Sequence, residues 1–349
     1  MPENKPLIDL HFTVITQPLP DFIHTGLKDY ARDGNYYYHQ PKILTDKLAA
    51  RHDLPPEMIY LTAGIDEAIL ALGATFGRET VVFTPTYVVY KDVQEFGGHL
   101  TEVPSLITGQ YQVETRTYPE ASLIFLANPN NPVGWTAKEA VLELAKNNPQ
   151  AIVVCDEAYS SLPPLNPKPL DLSVLQDTPL GSRLPDPKGV FDLYPNLVIL
   201  RSFSKDYAMA GLRVGYLVAQ PAVIAKIKDK VQFANVSYLS IGAAVTALAH
   251  EEYFAQMRRE VVARREEFTR FLMQRGLNVL PSAINCIVIE FSSDTEGEKY
   301  ATNLLANGVW VNSGGGHSNL GLPKRFVRIA IGTEEQMKKV AEIIEAMTR

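Results

Sequence analysis

Short apolar runs, each closed by turn-forming residues, predict buried strands at Met58–Leu61, Thr80–Phe83, Ser122–Ala127, Ala151–Cys155, Leu197–Leu200 and Val214–Ala219. Between them, apolar residues recur at helical spacing over Gly64–Phe76, Val88–Phe96 and Lys138–Ala145. Strands that are apolar on both faces and alternate with helices predict an α/β fold: a mainly parallel mixed sheet sandwiched by helices. Residues 1–35 read as an irregular arm with one helix, from Asp21 to just before Gly34, and residues 41–54 as an amphipathic helix opened by Pro41. The Pro-rich stretch 166–196 reads as a surface insertion with room for a short helix.

From Pro221 the pattern changes. A charged amphipathic helix, Glu251–Arg275, runs up to Gly276, followed by strand-like runs at Ala283–Phe291, Val309–Asn312 and Phe326–Ile331. A last helix, Glu334–Met347, carries Met337, Val340, Ile343 and Ile344 on one face. The expected organisation is an N-terminal arm (1–35), a large domain (36–235) and a smaller α+β C-terminal domain (236–349).

Composition adds limits rather than identity. The 349 residues are 46 % hydrophobic and 21 % charged, with a net charge of −6 and no long run of either sign. That is a soluble globular balance and argues against a nucleic-acid surface. Cys155 and Cys286 lie in apolar runs, as buried thiols in a reducing compartment would. Met1–Lys5 shows no secretory signal, and no apolar run is long enough to span a bilayer. The expectation is a cytoplasmic protein acting on a small molecule, with no membrane or nucleic-acid partner.

In an open parallel sheet, ligands sit at the carboxyl ends of the strands, and the notable polar residues fall there. After Leu61 comes Thr62-Ala63-Gly64-Ile65-Asp66-Glu67, where a tight turn opens a helix whose first N–H groups, on Ile65 and Asp66, suit a phosphate. After Phe83 comes Tyr87, an aromatic able to stack on a flat ring. After Ala127, two Asn-Pro steps make a rigid turn carrying Asn131, a donor for a phenolic oxygen. After Cys155, Asp156 would be a costly buried carboxylate without a cationic partner such as a protonated pyridine nitrogen, and Tyr159 follows three residues later. After Leu200, Ser202, Ser204 and Lys205 lead to Arg213. These are two hydroxyls and a cation for a phosphate beside an amine able to form a Schiff base. The same cations should depress the Lys205 pKa and leave some of it as free amine. No His/Cys spacing supports a metal.

Asn131-Pro132-Val133-Gly134, Asp156-Glu157-Ala158-Tyr159 and Ser204-Lys205 with Arg213 together resemble the fold-type I pyridoxal 5'-phosphate enzymes, specifically the class I/II aminotransferases. Gln40-Pro41-Lys42 and Gly64-Ile65-Asp66-Glu67 are similar in register to the histidinol-phosphate aminotransferase branch. The resemblance runs from Tyr36 to Arg328 and through the last helix. It implies that Lys205 is the Schiff-base lysine and proton shuttle, that Asp156 pairs with the pyridine nitrogen, and that Asn131 and Tyr159 contact the phenolic oxygen. It further implies that Tyr87 stacks on the ring and that Ile65, Asp66, Ser202, Ser204 and Arg213 hold the phosphate. Tyr36 stands where the family's tyrosine reaches into the neighbouring subunit, which implies a homodimer. Arg328 matches the arginine that binds a substrate carboxylate or phosphate.

Two stretches depart from that branch. Leu10-His11-Phe12-Thr13-Val14-Ile15-Thr16-Gln17-Pro18 stands where the branch has an Asn-Glu-Asn-Pro segment over the substrate. Asn312-Ser313-Gly314-Gly315-Gly316-His317 stands where it carries a second anion-binding arginine. Losing one charge-assisted contact costs a few kcal/mol, roughly a hundredfold in affinity. The expectation is therefore an aminotransferase acting on an amino acid other than histidinol phosphate. The rival keeps the cofactor but performs elimination and ring closure, as relatives that make capreomycidine or enduracididine from hydroxyarginine do. Decarboxylation, as in the threonine-phosphate decarboxylases, is a further variant. A non-catalytic binding module would not need Lys205, Asp156 and Arg213 together.

Overall fold

The computed structural model describes residues 7–135, 138–159, 162, 187–315 and 319–348. A seven-stranded sheet forms its centre. In chain order the strands are β1 (Ile59–Thr62), β2 (Glu79–Thr84), β3 (His99–Pro104), β4 (Leu123–Ala127), β5 (Ile152–Asp156), β6 (Leu197–Ser202) and β7 (Gly215–Ala219). Across the sheet they run β1-β7-β6-β5-β4-β2-β3. All pairs are parallel except those of β7, which is antiparallel to both neighbours. Strands β1, β4, β6 and β7 are buried at every position, as a sheet covered by helices on both faces requires. The fold class read from the sequence is the one observed.

A second, antiparallel sheet takes the C-terminal strands β8 (Asn278–Leu280), β9 (Cys286–Glu290), β10 (Asn312–Ser313) and β11 (Phe326–Ala330) in the order β8-β9-β11-β10. The long helix is Glu251–Met273 and the last helix Glu334–Thr348. Of the expected insertion, Pro187–Leu193 is helical, and residues 166–186 lie outside the described residues.

Several elements differ from expectation. The helix expected at Val88–Phe96 is present with those bounds and is of the 3-10 type. Its buried residues are Tyr90 and Val93, three apart, which a three-residue turn stacks directly above one another. Strand β3 carries no apolar run: it is a half-exposed edge strand pairing Glu79–Thr84 with His99–Pro104, so its side chains need not be apolar. The run Val309–Asn312 divides. Val309–Trp310 pairs in parallel with Ile8–Asp9 of the arm, and Asn312–Ser313 joins β11. The arm is therefore fixed to the second sheet, with Leu10 O accepting from Ala330 N–H at 3.1 Å. Among the described residues no helix is long and apolar enough to cross a membrane, and no acidic, His or Cys cluster could hold a metal.

Candidate active site

A cavity of ≈ 480 Å³ opens at the carboxyl ends of β1, β2, β4, β5 and β6. The reversed strand β7 explains how Arg213 joins them. Its first residue, Gly215, pairs with Ser202 on one side and Thr62 on the other, so the start of β7 lies level with the ends of its neighbours. Ile65, Asp66, Tyr87, Asn131, Asp156, Tyr159, Ser202, Ser204, Lys205, Arg213 and Arg328 all line this cavity. Of the expected site residues only Tyr36 does not; it is 65 % exposed.

Lys205 sits on a one-turn helix, Phe203–Asp206, capped by Ser202, whose Oγ accepts from Ser204 N–H at 3.0 Å. Its Nζ lies 5.6 Å from the centre of the Tyr159 ring. Burial, reinforced by Arg328 and Arg213 against the opposing pull of Asp66, brings its pKa down to about 8. The amine is thus partly deprotonated near neutral pH.

Asp156 is 4 % exposed. Tyr90 donates to its Oδ2 at 2.6 Å and Ala158 N–H to its Oδ1 at 3.0 Å. Burial still outweighs both bonds and raises its pKa to about 6. A cationic N–H at this point would restore the carboxylate to its ionised form.

The two residues flanking this pair form a second buried arrangement. Glu157, after Asp156, accepts from Arg201 Nε at 3.0 Å and Nη2 at 2.7 Å, and Arg201 precedes Ser202. Both are buried, and the pair joins the ends of β5 and β6. His52 lies beside it and hydrogen-bonds the Tyr216 hydroxyl at 2.8 Å. Burial, with Arg201 and Arg51, pushes its pKa to about 2.

The other end of the cavity is suited to an anion. Gly64 has a φ of 74°, and a Cβ there would stand 2.4 Å from Arg213 Nη2. A Cβ at Gly215 would stand 2.7 Å from the Gly64 carbonyl carbon and 2.9 Å from Ile65 N. Two missing side chains thus let a guanidinium and a helix N-terminus converge. Asp66 does more than supply backbone: its carboxylate accepts from Arg213 Nη2 at 2.7 Å and from the Tyr87 hydroxyl at 2.9 Å. Amine, buried carboxylate and anion cradle together fit a phosphorylated pyridine aldehyde. Lys205 would bond the aldehyde carbon, Asp156 the ring nitrogen, and Ser202, Ser204, Arg213 and the Ile65–Asp66 turn the phosphate.

Arg328 is 2 % exposed. Nη1 donates to Asn131 Oδ1 at 3.0 Å and Asn319 Oδ1 at 2.9 Å, Nη2 donates to the His11 carbonyl at 2.7 Å, and Nε has no acceptor among the described residues. Tyr159 meets Thr13 Oγ1 at 2.6 Å. The sequence reading missed Tyr90, Thr13, His11 and Asn319 as parts of this site. Tyr90 carried a usable signal, lying three residues after Tyr87. The other three are brought in only by chain folding.

The chain matches the family model of aminotransferase class I and II over residues 19–344. It is 31 % identical to histidinol-phosphate aminotransferase 2 of Carboxydothermus hydrogenoformans, over 92 % of this chain and 88 % of that protein. Among solved structures it is similar to histidinol-phosphate aminotransferase of Sinorhizobium meliloti in complex with pyridoxal-5'-phosphate (TM-score 0.81, 22 % identity, covering 98 % of this chain and 92 % of that one). It is also similar to L-threonine-O-3-phosphate decarboxylase of Porphyromonas gingivalis (TM-score 0.78, 22 % identity, 98 % and 99 %). A family match across nearly the whole sequence, on this fold, makes the chain a member of the class I and II aminotransferases, pyridoxal phosphate-dependent transferases of fold type I.

Proposed function

We propose that the protein moves an amino group between an amino acid and a keto acid. The observation that carries this reading is the meeting, in one cavity, of an amine and a buried carboxylate, Lys205 and Asp156. Bound pyridoxal phosphate supplies an electron sink for negative charge developing at the substrate α-carbon. Lys205 would hold the cofactor through its amine, and that amine, when free, would take the substrate α-proton and deliver it to the carbon that carried the cofactor's aldehyde. Asp156, steadied by Tyr90, would keep the ring nitrogen protonated. Asn131 and Tyr159 would bond the ring oxygen, Tyr87 would cover the ring face, and Ser202, Ser204, Arg213 and the Ile65–Asp66 turn would hold the phosphate.

Arg328 binds the substrate carboxylate. The cations lining the cavity, among the described residues, are Lys205, Arg213 and Arg328. The first two serve the cofactor, which leaves one for the substrate. This favours an amino acid with a single carboxylate over histidinol phosphate. Residues 36–235 make up the cofactor-binding part, and 236–349 with the arm 1–35 the smaller part.

Tyr36, Tyr37 and Phe233 are 65 %, 86 % and 65 % exposed, with the Tyr37 and Phe233 rings 6.3 Å apart. A patch this aromatic suits burial against a second copy, with Tyr36 reaching the neighbouring phosphate site in a homodimer. The thiols of Cys155 and Cys286, buried and free, suit the cytoplasm.

The test is spectroscopic. Protein loaded with pyridoxal phosphate should show a visible absorption band that Lys205→Ala removes. An amino-acid panel, including arginine and hydroxyarginine, should contain a substrate that bleaches the band and a keto acid that restores it. Failure to bind the cofactor would overturn the reading. Release of water or ammonia without bleaching would move it to elimination and cyclisation, and release of carbon dioxide to decarboxylation.

A further inference from the structure

Arg328 begins a chain of hydrogen bonds whose direction is fixed by chemistry. A guanidinium only donates, so Asn319 must turn its amide oxygen to Nη1, 2.9 Å away. The amide NH₂ of Asn319 is then left to donate to Asn312 Oδ1 at 3.0 Å. Asn312, fully buried, has its own NH₂ 3.2 Å from His11 Nε2. That NH₂ cannot accept, so Nε2 must be the bare nitrogen of a neutral imidazole whose proton sits on Nδ1. The His11 carbonyl closes the loop by accepting from Arg328 Nη2 at 2.7 Å. Trp310 stacks on the imidazole with centroids 4.4 Å apart and planes 17° apart, Phe12 meets it edge-on at 4.7 Å, and His11 lines the cavity.

We propose that His11 is a positioning residue whose neutral imidazole ends a one-way relay from Arg328 through Asn319 and Asn312 and thereby aligns the guanidinium for a substrate carboxylate. The inference rests on the reading of Arg328 given above. The charges facing the imidazole are Arg328, on β11, and Asp9, on its own arm; Trp310 and Asn312, packed against it, are neutral. Burial and then Arg328 hold the His11 pKa below its ordinary 6.5, and Asp9 opposes them. Protonation would set an Nε2–H against the Asn312 NH₂. Asn312 would have to turn, Asn319 would follow, and a donor would then face Nη1. The relay is therefore intact at neutral pH and broken in acid.

The experiment uses the cofactor-loaded protein with propionate as an unreactive carboxylate probe, its binding followed by calorimetry. The histidine tautomer is followed by ¹⁵N NMR. His11→Gln, whose amide oxygen reaches about as far as Nε2, should bind propionate like the wild type at neutral pH. His11→Phe and Asn312→Leu should each weaken binding about tenfold. On acidification to below the ordinary imidazole value of 6.5, the wild type should lose affinity relative to His11→Gln. The His11 resonances should report an Nδ1–H tautomer that Asn312→Leu releases. Wild-type affinity in both His11→Phe and Asn312→Leu, or an Nε2–H tautomer, would overturn the proposal. If propionate fails to bind the wild type while the Nδ1–H tautomer and its dependence on Asn312 are seen, the carboxylate reading of Arg328 falls, and with it the alignment, although the relay itself stands.

Discussion

Asp156 carries a cost that its proposed role would explain. Its folded-state pKa of about 6 lies above the ordinary 3.8. The penalty is therefore absent in strong acid, grows as pH rises between these values, and is complete above the upper one. Two pKa units correspond to about 3 kcal/mol. Asp156→Asn should accordingly stabilise the cofactor-free protein by up to about 3 kcal/mol at neutral pH and by nothing below about pH 4, while weakening cofactor binding and abolishing turnover. Thermal unfolding across pH, with and without cofactor, checks both. Tyr90→Phe removes the hydroxyl bonded to Oδ2 and should weaken cofactor binding by about 1.5–3 kcal/mol, measured by equilibrium titration. Because the Lys205 pKa is lowered to about 8, the rate of cofactor loading should rise with pH and level off above that value. That Lys205 and Asp156 share one cavity was legible in the sequence because both follow apolar strands of a parallel sheet whose other strand ends carry polar residues as well; a lysine after an apolar run would alone read as a solvated charge. Tyr90 was harder to see because its hydroxyl is committed across sixty-six residues of chain to one oxygen.

Among the elements, the turn between β1 and the helix Gly64–Phe76 decides the anion cradle. Gly64→Ala sets a Cβ against Arg213 and places it in a left-handed conformation that costs about 1 kcal/mol. The expected result is a folded protein whose cofactor affinity falls more than tenfold. Glu157→Gln leaves Arg201 buried without its counter-charge and should cost about 3–5 kcal/mol in urea unfolding. Central strands were readable from their apolar runs. Strand β3 was not, because an edge strand needs no apolar face, and Val88–Phe96 was readable as a helix but not as a 3-10 helix, because three- and four-residue spacing differ little over so short a segment.

For the molecule as a whole, the exposed aromatic patch yields a test of assembly. Tyr37→Asp with Phe233→Asp should give a monomer in sedimentation, and the monomer should hold its cofactor less firmly if Tyr36 acts across the subunit boundary. The arm illustrates the limit of reading a sequence in order. The resemblance put Leu10–Pro18 over the substrate, but the residues of that stretch do not by themselves show contacts with Tyr159 and Arg328, because those are set by the pairing of Ile8–Asp9 with Val309–Trp310 some three hundred residues away.

That long reach, set beside the reversed strand, divides the site into two kinds of closure. Ser202, Lys205, Arg213 and Gly215 come from one brief excursion between adjacent strands, whose ends meet cheaply. His11 and Arg328 meet only when the two ends of the polypeptide do. Mild urea should therefore undo carboxylate recognition before it undoes the grip on the vitamin, leaving a coloured protein that no longer responds to amino acids.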